Sequence, residues 1–93
     1  MPKKDISHLK NDVEASKAFW VCDGQVLMNL VDLTHALKEM SEDVYKSHAN
    51  KDKNDFADWI KDVMGEKKFS ENIRKSRNKE SMIKKLKRKL KIK

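Results

Sequence analysis

NDFADWIKDVMG, residues 54–65, reads as a helix with both of its ends marked. The side-chain oxygen of Asn54 can cap free backbone N–H groups, and Asp55 places negative charge in the first turn, where the macrodipole favours it. At the other end Gly65 can take the left-handed conformation that stops a helix. Phe56, Trp59, Ile60 and Val63 recur at spacings of three and four and form one apolar face, while Asp55, Asp58 and Asp62 line another.

Working outward, the neighbouring segments repeat this pattern. SEDVYKSHAN, residues 41–50, opens on Ser41 with acids in its first turn and has Val44 and Tyr45 as its apolar pair, so a short helix ending near Asn50 is expected. Before it, Asn29 stands three residues ahead of Asp32, and Leu30, Leu33, Leu37 and Met40 follow a 3.6-residue period, which predicts another capped helix. In FWVCDGQVL, residues 19–27, Asp23-Gly24 separates two β-prone runs, the pattern of a tight hairpin in which both turn residues take positive φ. Nearer the N-terminus, Asp5 can cap a turn or two carrying Ile6, Leu9 and Val13. Downstream of Gly65 a helix is expected over 66–76 through Phe69 and Ile73, with a restart at Asn78. The fold class is therefore mainly α: four or five short helices, a short N-terminal β-hairpin packed on them, and a basic C-terminal helix or tail. Residues 1–78 form the domain and residues 79–93 the basic segment.

FWVCDGQVL, the Leu-rich helix, SEDVYKSHAN and above all NDFADWIKDVMG together resemble a family of small prokaryotic domains of unknown function, found alone or appended to larger proteins. The likeness covers roughly residues 19 to 76 and rests on Phe19, Trp20, Val21, Asp23, Gly24, His48, Asn50, Asn54, Asp55, Phe56, Ala57, Trp59, Ile60, Asp62 and Gly65. It implies a shared fold and no settled activity. The Lys-rich end after residue 78 lies outside it.

Composition limits the function classes. Ninety-three residues fit one domain with a small core, in which a deep catalytic pocket is hard to build. The single cysteine, Cys22, makes no internal disulfide and no thiolate metal site, which suits a reducing compartment. No apolar run approaches the roughly 18 residues of a spanning helix, and MPKKDISHLK lacks the apolar stretch of a signal peptide; a soluble, cytoplasmic protein is the expectation. Charge is distributed unevenly. Residues 1–65 carry 9 Lys/Arg against 12 Asp/Glu and residues 66–93 carry 13 against 3, so the net +7 is an acidic body joined to a basic end.

That basic end supplies the functional expectation. KKLKRKLKIK, residues 84–93, offers Lys84, Lys85, Lys87, Arg88, Lys89, Lys91 and Lys93, with Arg74, Lys75 and Arg77 upstream, and nucleic acid rewards such a run by counterion release without demanding geometry. Lys outnumbers Arg and no base-reading motif is present, so binding is expected to be independent of base sequence, to DNA or RNA. The roles that fit are a nucleoid-associated or an RNA- or ribosome-associated accessory protein. Five to seven neutralised phosphates would give a log–log salt slope of about −4 to −6. Met82, Ile83, Leu86 and Leu90 form an apolar stripe through the segment, and like charges at i, i+4 should leave it only partly helical until phosphates neutralise it. The competing readings are a cationic helix lying on anionic lipid, a solubilising tail, and a protein-interaction module acting through the folded body.

The remaining candidates are weaker. His48, Asn50 and Asp55 form the one polar cluster that merits inspection as a site, although short polar segments between helices usually satisfy backbone groups. His8, His35 and His48 lack zinc-motif spacing, no metal or cofactor is expected, and catalysis is not expected either. Asp55, Asp58 and Asp62 fit a helix's first turn and solvated face better than a cation site, and this face can hold the basic end in cis. Trp20 and Trp59 stand among apolar neighbours and are assigned to the core, and Cys22 to a half-buried strand position.

Overall fold

The structure, a computed structural model, describes residues 7–91. The helices expected after Asn29, Ser41, Asn54 and Asn78 start where those residues place them. Helix α2, Leu30–Glu39, begins after Asn29, whose Oδ1 accepts the Asp32 N–H at 2.8 Å while Asp32 Oδ2 accepts the Met28 N–H at 3.0 Å. Helix α3, Glu42–His48, is capped by Ser41, α4, Asp55–Asp62, by Asn54, and α6, Lys79–Leu90, by Asn78, in each case through the backbone N–H three residues on. Between α4 and α5, Lys67–Arg74, Gly65 sits at φ 70°, a left-handed position that lets the chain turn and pack α5 back on α4. Helix α1, Ser7–Lys10, is a single turn; it buries Leu9 but ends before Val13, and Asp5 and Ile6 lie outside the described residues.

The hairpin pairs β1, Phe19–Trp20, with β2, Val26–Leu27, in the register Phe19↔Leu27 and Trp20↔Val26. Its turn differs from the two-residue form expected from Asp-Gly. The Gly24 N–H reaches Val21 O and the Val21 N–H reaches Gln25 O, both at 2.9 Å, and of the pair only Gly24, at φ 98°, has positive φ. This is a three-residue loop closed by a glycine bulge. Asp23 supports it, accepting from the Gln25 N–H at 3.1 Å and from Gln25 Nε2 at 2.8 Å. Cys22 sits at the exposed corner of this loop and not in a half-buried strand.

Phe56, Ile60, Leu30, Leu33, Leu37 and Ile73 are fully enclosed at the centre, with Val21 and Leu27 of the hairpin packed against them. An aromatic cluster joins hairpin to helices: Phe19 stacks on Phe56 with centroids 5.1 Å apart and meets Trp59 edge-on at 5.7 Å. Trp59 is buried and its Nε1 donates to Lys17 O at 2.8 Å. Trp20, also expected in the core, is 68% exposed. Alternation along the strand explains the difference, because Phe19 and Val21 point inward and the residue between them must point out.

The largest correction concerns the basic segment. It does not project from the body as a separate tail, and it is helical from Lys79 to Leu90 despite its run of like charges. Met82, Leu86 and Leu90 are all at 0% exposure, and α6 packs mainly on α2. Three side chains of this size contribute roughly 1.5–3 kcal/mol each on burial, well above the few tenths lost to each like-charge i, i+4 pair. Residues 79–90 therefore belong to the domain's core.

Candidate nucleic-acid interface and the His48 cluster

Because the apolar stripe of α6 faces α2, the 3.6-residue period turns Lys84, Lys87, Arg88 and Lys91 outward. Lys84, Arg88 and Lys91 are exposed and Lys87 is half-buried. Helix α2 adds an exposed cation that sequence reasoning did not connect to this surface. Lys38 stands so near Lys87 that its charge, with a smaller contribution from burial, lowers the pKa of the Lys87 amine. Two ammonium groups held this close make a positive focus that an anion relieves. It depends on the packing of α2 on α6, which sequence periodicity does not report.

Other cations of the segment are engaged with the body. Lys85 Nζ donates to Asn72 O at 2.8 Å, Lys89 lies 3.2 Å from Glu66 and over the Phe69 ring, and Lys79 Nζ donates to Met40 O at 2.7 Å. Arg74, Lys75 and Arg77 are exposed but sit beyond the N-terminal end of α6, so they do not join the Lys84–Lys91 ridge. Lys93 lies outside the described residues. The acidic face was expected to hold the basic segment 79–93 in cis; Asp58 instead accepts from Arg74 Nη2 of α5 at 2.7 Å, a residue outside that segment.

His48 and Asp55 come together as the sequence suggested. At the end of α3, His48 Nδ1 is 3.0 Å from Asp55 Oδ2, and its Nε2 accepts the Cys22 backbone N–H at 3.1 Å. Because Nε2 accepts an N–H, the tautomer that fits carries its proton on Nδ1, directed at the carboxylate. The imidazole also meets Phe19 edge-on at 5.2 Å and lies 5.5 Å from Phe56. It thus ties the hairpin loop to α3 and α4, and its Nε2 lone pair is occupied by the backbone. On the same hairpin loop, the Asp23 carboxyl is held below its ordinary pKa chiefly by the Gln25 N–H and side-chain amide.

Asn50 does not share that cluster's geometry. Its Oδ1 accepts from Asp52 and Lys53 N–H groups and its Nδ2 donates to Lys46 O, so it closes the α3–α4 loop. Among the described residues no group of three or more His, Cys, Asp or Glu side chains is placed to hold a metal ion. Nor is any helix among them long and apolar enough to cross a membrane. Compared with protein-family models, curated proteins and solved structures, the chain matches none.

Proposed function

We propose that this protein is a non-enzymatic domain that binds the phosphate backbone of nucleic acid without reading its sequence, as a nucleoid-associated or an RNA- or ribosome-associated accessory protein. The observation that carries this reading is the ridge of Lys84, Lys87, Arg88 and Lys91 with Lys38 beside it, held on a helix whose other side is locked into the core. Preformed cations on a rigid helix lose less conformational freedom on binding than cations on a disordered tail. With four or five phosphate contacts, the log–log salt slope on duplex DNA should be about −3.5 to −4.5.

The non-enzymatic part of the reading rests on the His48 geometry, in which the ring nitrogen that a nucleophile would need is bonded to Cys22 N–H. The resemblance to small prokaryotic domains is part of the same proposal. Of the residues that carry it, Phe19, His48, Asp55, Phe56 and Trp59 form one contact network in this chain.

The experiment is fluorescence anisotropy of labelled duplex DNA and structured RNA across a salt series. It compares the native chain with a variant carrying Lys84→Gln, Lys87→Gln, Arg88→Gln and Lys91→Gln. Binding with a steep negative slope that flattens in the variant supports the reading, and equal binding by both proteins sinks it. A second reading, a protein-interaction module, is favoured by Trp20 and Val26, paired across the hairpin and 68% and 38% exposed. It predicts that Trp20→Ala abolishes partner capture and leaves nucleic-acid affinity unchanged.

A further inference from the structure

Beyond the N-terminal end of α6, the surface opens into a cavity of about 500 Å³, bounded by α3, the α3–α4 loop and the segment that joins α5 to α6. Its wall carries four cations, Lys46, Lys51, Arg74 and Arg77, against the single carboxylate Glu42. Glu42 lies 3.9 Å from Lys79, and Arg74 is paired with Asp58. Among the described residues no carboxylate stands within ion-pair distance of Lys46, Lys51 or Arg77, so three positive charges face the cavity uncompensated.

The neutral groups on the wall favour the same ligand charge. Asn54 and Asn78 both line it, and each uses its Oδ1 to cap a helix, α4 or α6. What each carboxamide has left is its amino group, a donor, and Asn54 is buried at 5% exposure. The N-terminal ends of these two helices, of eight and twelve residues, thus both border the cavity and add the positive ends of their dipoles. Ser76 is also on the wall, and among the described residues its buried Oγ has no hydrogen-bond partner. Tyr45 and Ala49 supply apolar surface.

We propose that this cavity is a binding site for a small organic diphosphate, with Lys46, Lys51 and Arg77 meeting the phosphate oxygens and the Asn54 and Asn78 amino groups donating to them. A diphosphate carries close to the three negative charges that these side chains match. The volume lies within the range of sites for organic ligands and exceeds what an inorganic ion fills. The site is distinct from the α6 ridge, since Arg88 and Lys91 lie at the far end of a helix roughly 18 Å long.

Isothermal titration of the full chain with ADP, inorganic pyrophosphate, adenosine and sulfate at constant ionic strength tests the proposal. The expected result is saturable binding of ADP and pyrophosphate, at least tenfold tighter than sulfate, with no heat from adenosine. Lys51→Gln and Arg77→Gln, both at exposed positions and expected to leave the circular dichroism spectrum unchanged, should each weaken ADP at least fivefold. Lys84→Gln with Arg88→Gln should leave it within twofold. Absence of ADP binding, parity between ADP and sulfate, or a loss caused by Lys84→Gln/Arg88→Gln and not by Arg77→Gln would each overturn it.

Discussion

His48 shows how one side chain can join three parts of a small domain. Its ring accepts from the hairpin loop at Cys22, faces Asp55 at the start of α4, and packs between Phe19 and Phe56, while belonging to the last turn of α3. The pairing with Asp55 was legible in the sequence because both residues flank the short polar joint between helices. The bond to Cys22, 26 positions away, was not, since no local pattern encodes it. His48→Ala removes two hydrogen bonds and two aromatic contacts, so unfolding free energy in urea should fall by about 2–3 kcal/mol. Nucleic-acid affinity at 25 °C should stay within twofold. Tyr45 gives a pH-dependent counterpart. Its phenol has a raised pKa, first because of burial and then because of Glu42 and Glu80. The neutral form is therefore favoured in the folded state, and Tyr45 contributes stability that is whole below the unfolded value near 10 and lost as pH rises through the higher folded value. Thermal unfolding between pH 8 and 11 should show a steeper alkaline decline for the native chain than for Tyr45→Phe.

At the scale of elements, each helix was legible to the extent that its signals were local. Caps at Asn29, Ser41, Asn54 and Asn78 act within three residues, so a reading of neighbours finds them. The hairpin was found from Asp23-Gly24, but its loop length was not, because one glycine of positive φ serves a three-residue loop as well as a two-residue one. That extra residue sets which side chains face in, and it leaves Trp20 outside. Helix α6 was the hardest to place. Its Lys and Arg residues suggest a solvated tail, whereas its four apolar positions decide where it sits, since burial of each outweighs the repulsion between neighbouring cations. The two faces are separable by mutation. Leu86→Ala should destabilise the domain by about 2–5 kcal/mol, and Lys84→Gln should change stability by less than about 0.5 kcal/mol while weakening nucleic-acid binding. Urea unfolding monitored by Trp fluorescence together with anisotropy measures both.

For the whole molecule, the charge asymmetry read from the chain acquires a different geometry once α6 is packed. The basic end is not a lever that can be removed without consequence, because Met82, Leu86 and Leu90 close the core against α2. A domain of this length has a net stability of about a tenth of a kcal/mol per residue, on the order of 5–10 kcal/mol in total. The three buried side chains alone contribute a comparable amount, at roughly 1.5–3 kcal/mol each. Ending the chain at Asn78 should therefore abolish cooperative unfolding and greatly reduce the helical circular dichroism, and loss of nucleic-acid binding by that fragment would report on folding alone. A separate tail would behave otherwise: the truncated domain would keep its melting transition, and its spectrum would fall only by the share of the missing residues. Thermal melts of the two chains followed at 222 nm separate these cases, and a retained transition within a few degrees of the native one would mean that α6 does not contribute to the core as the burial of its apolar stripe requires.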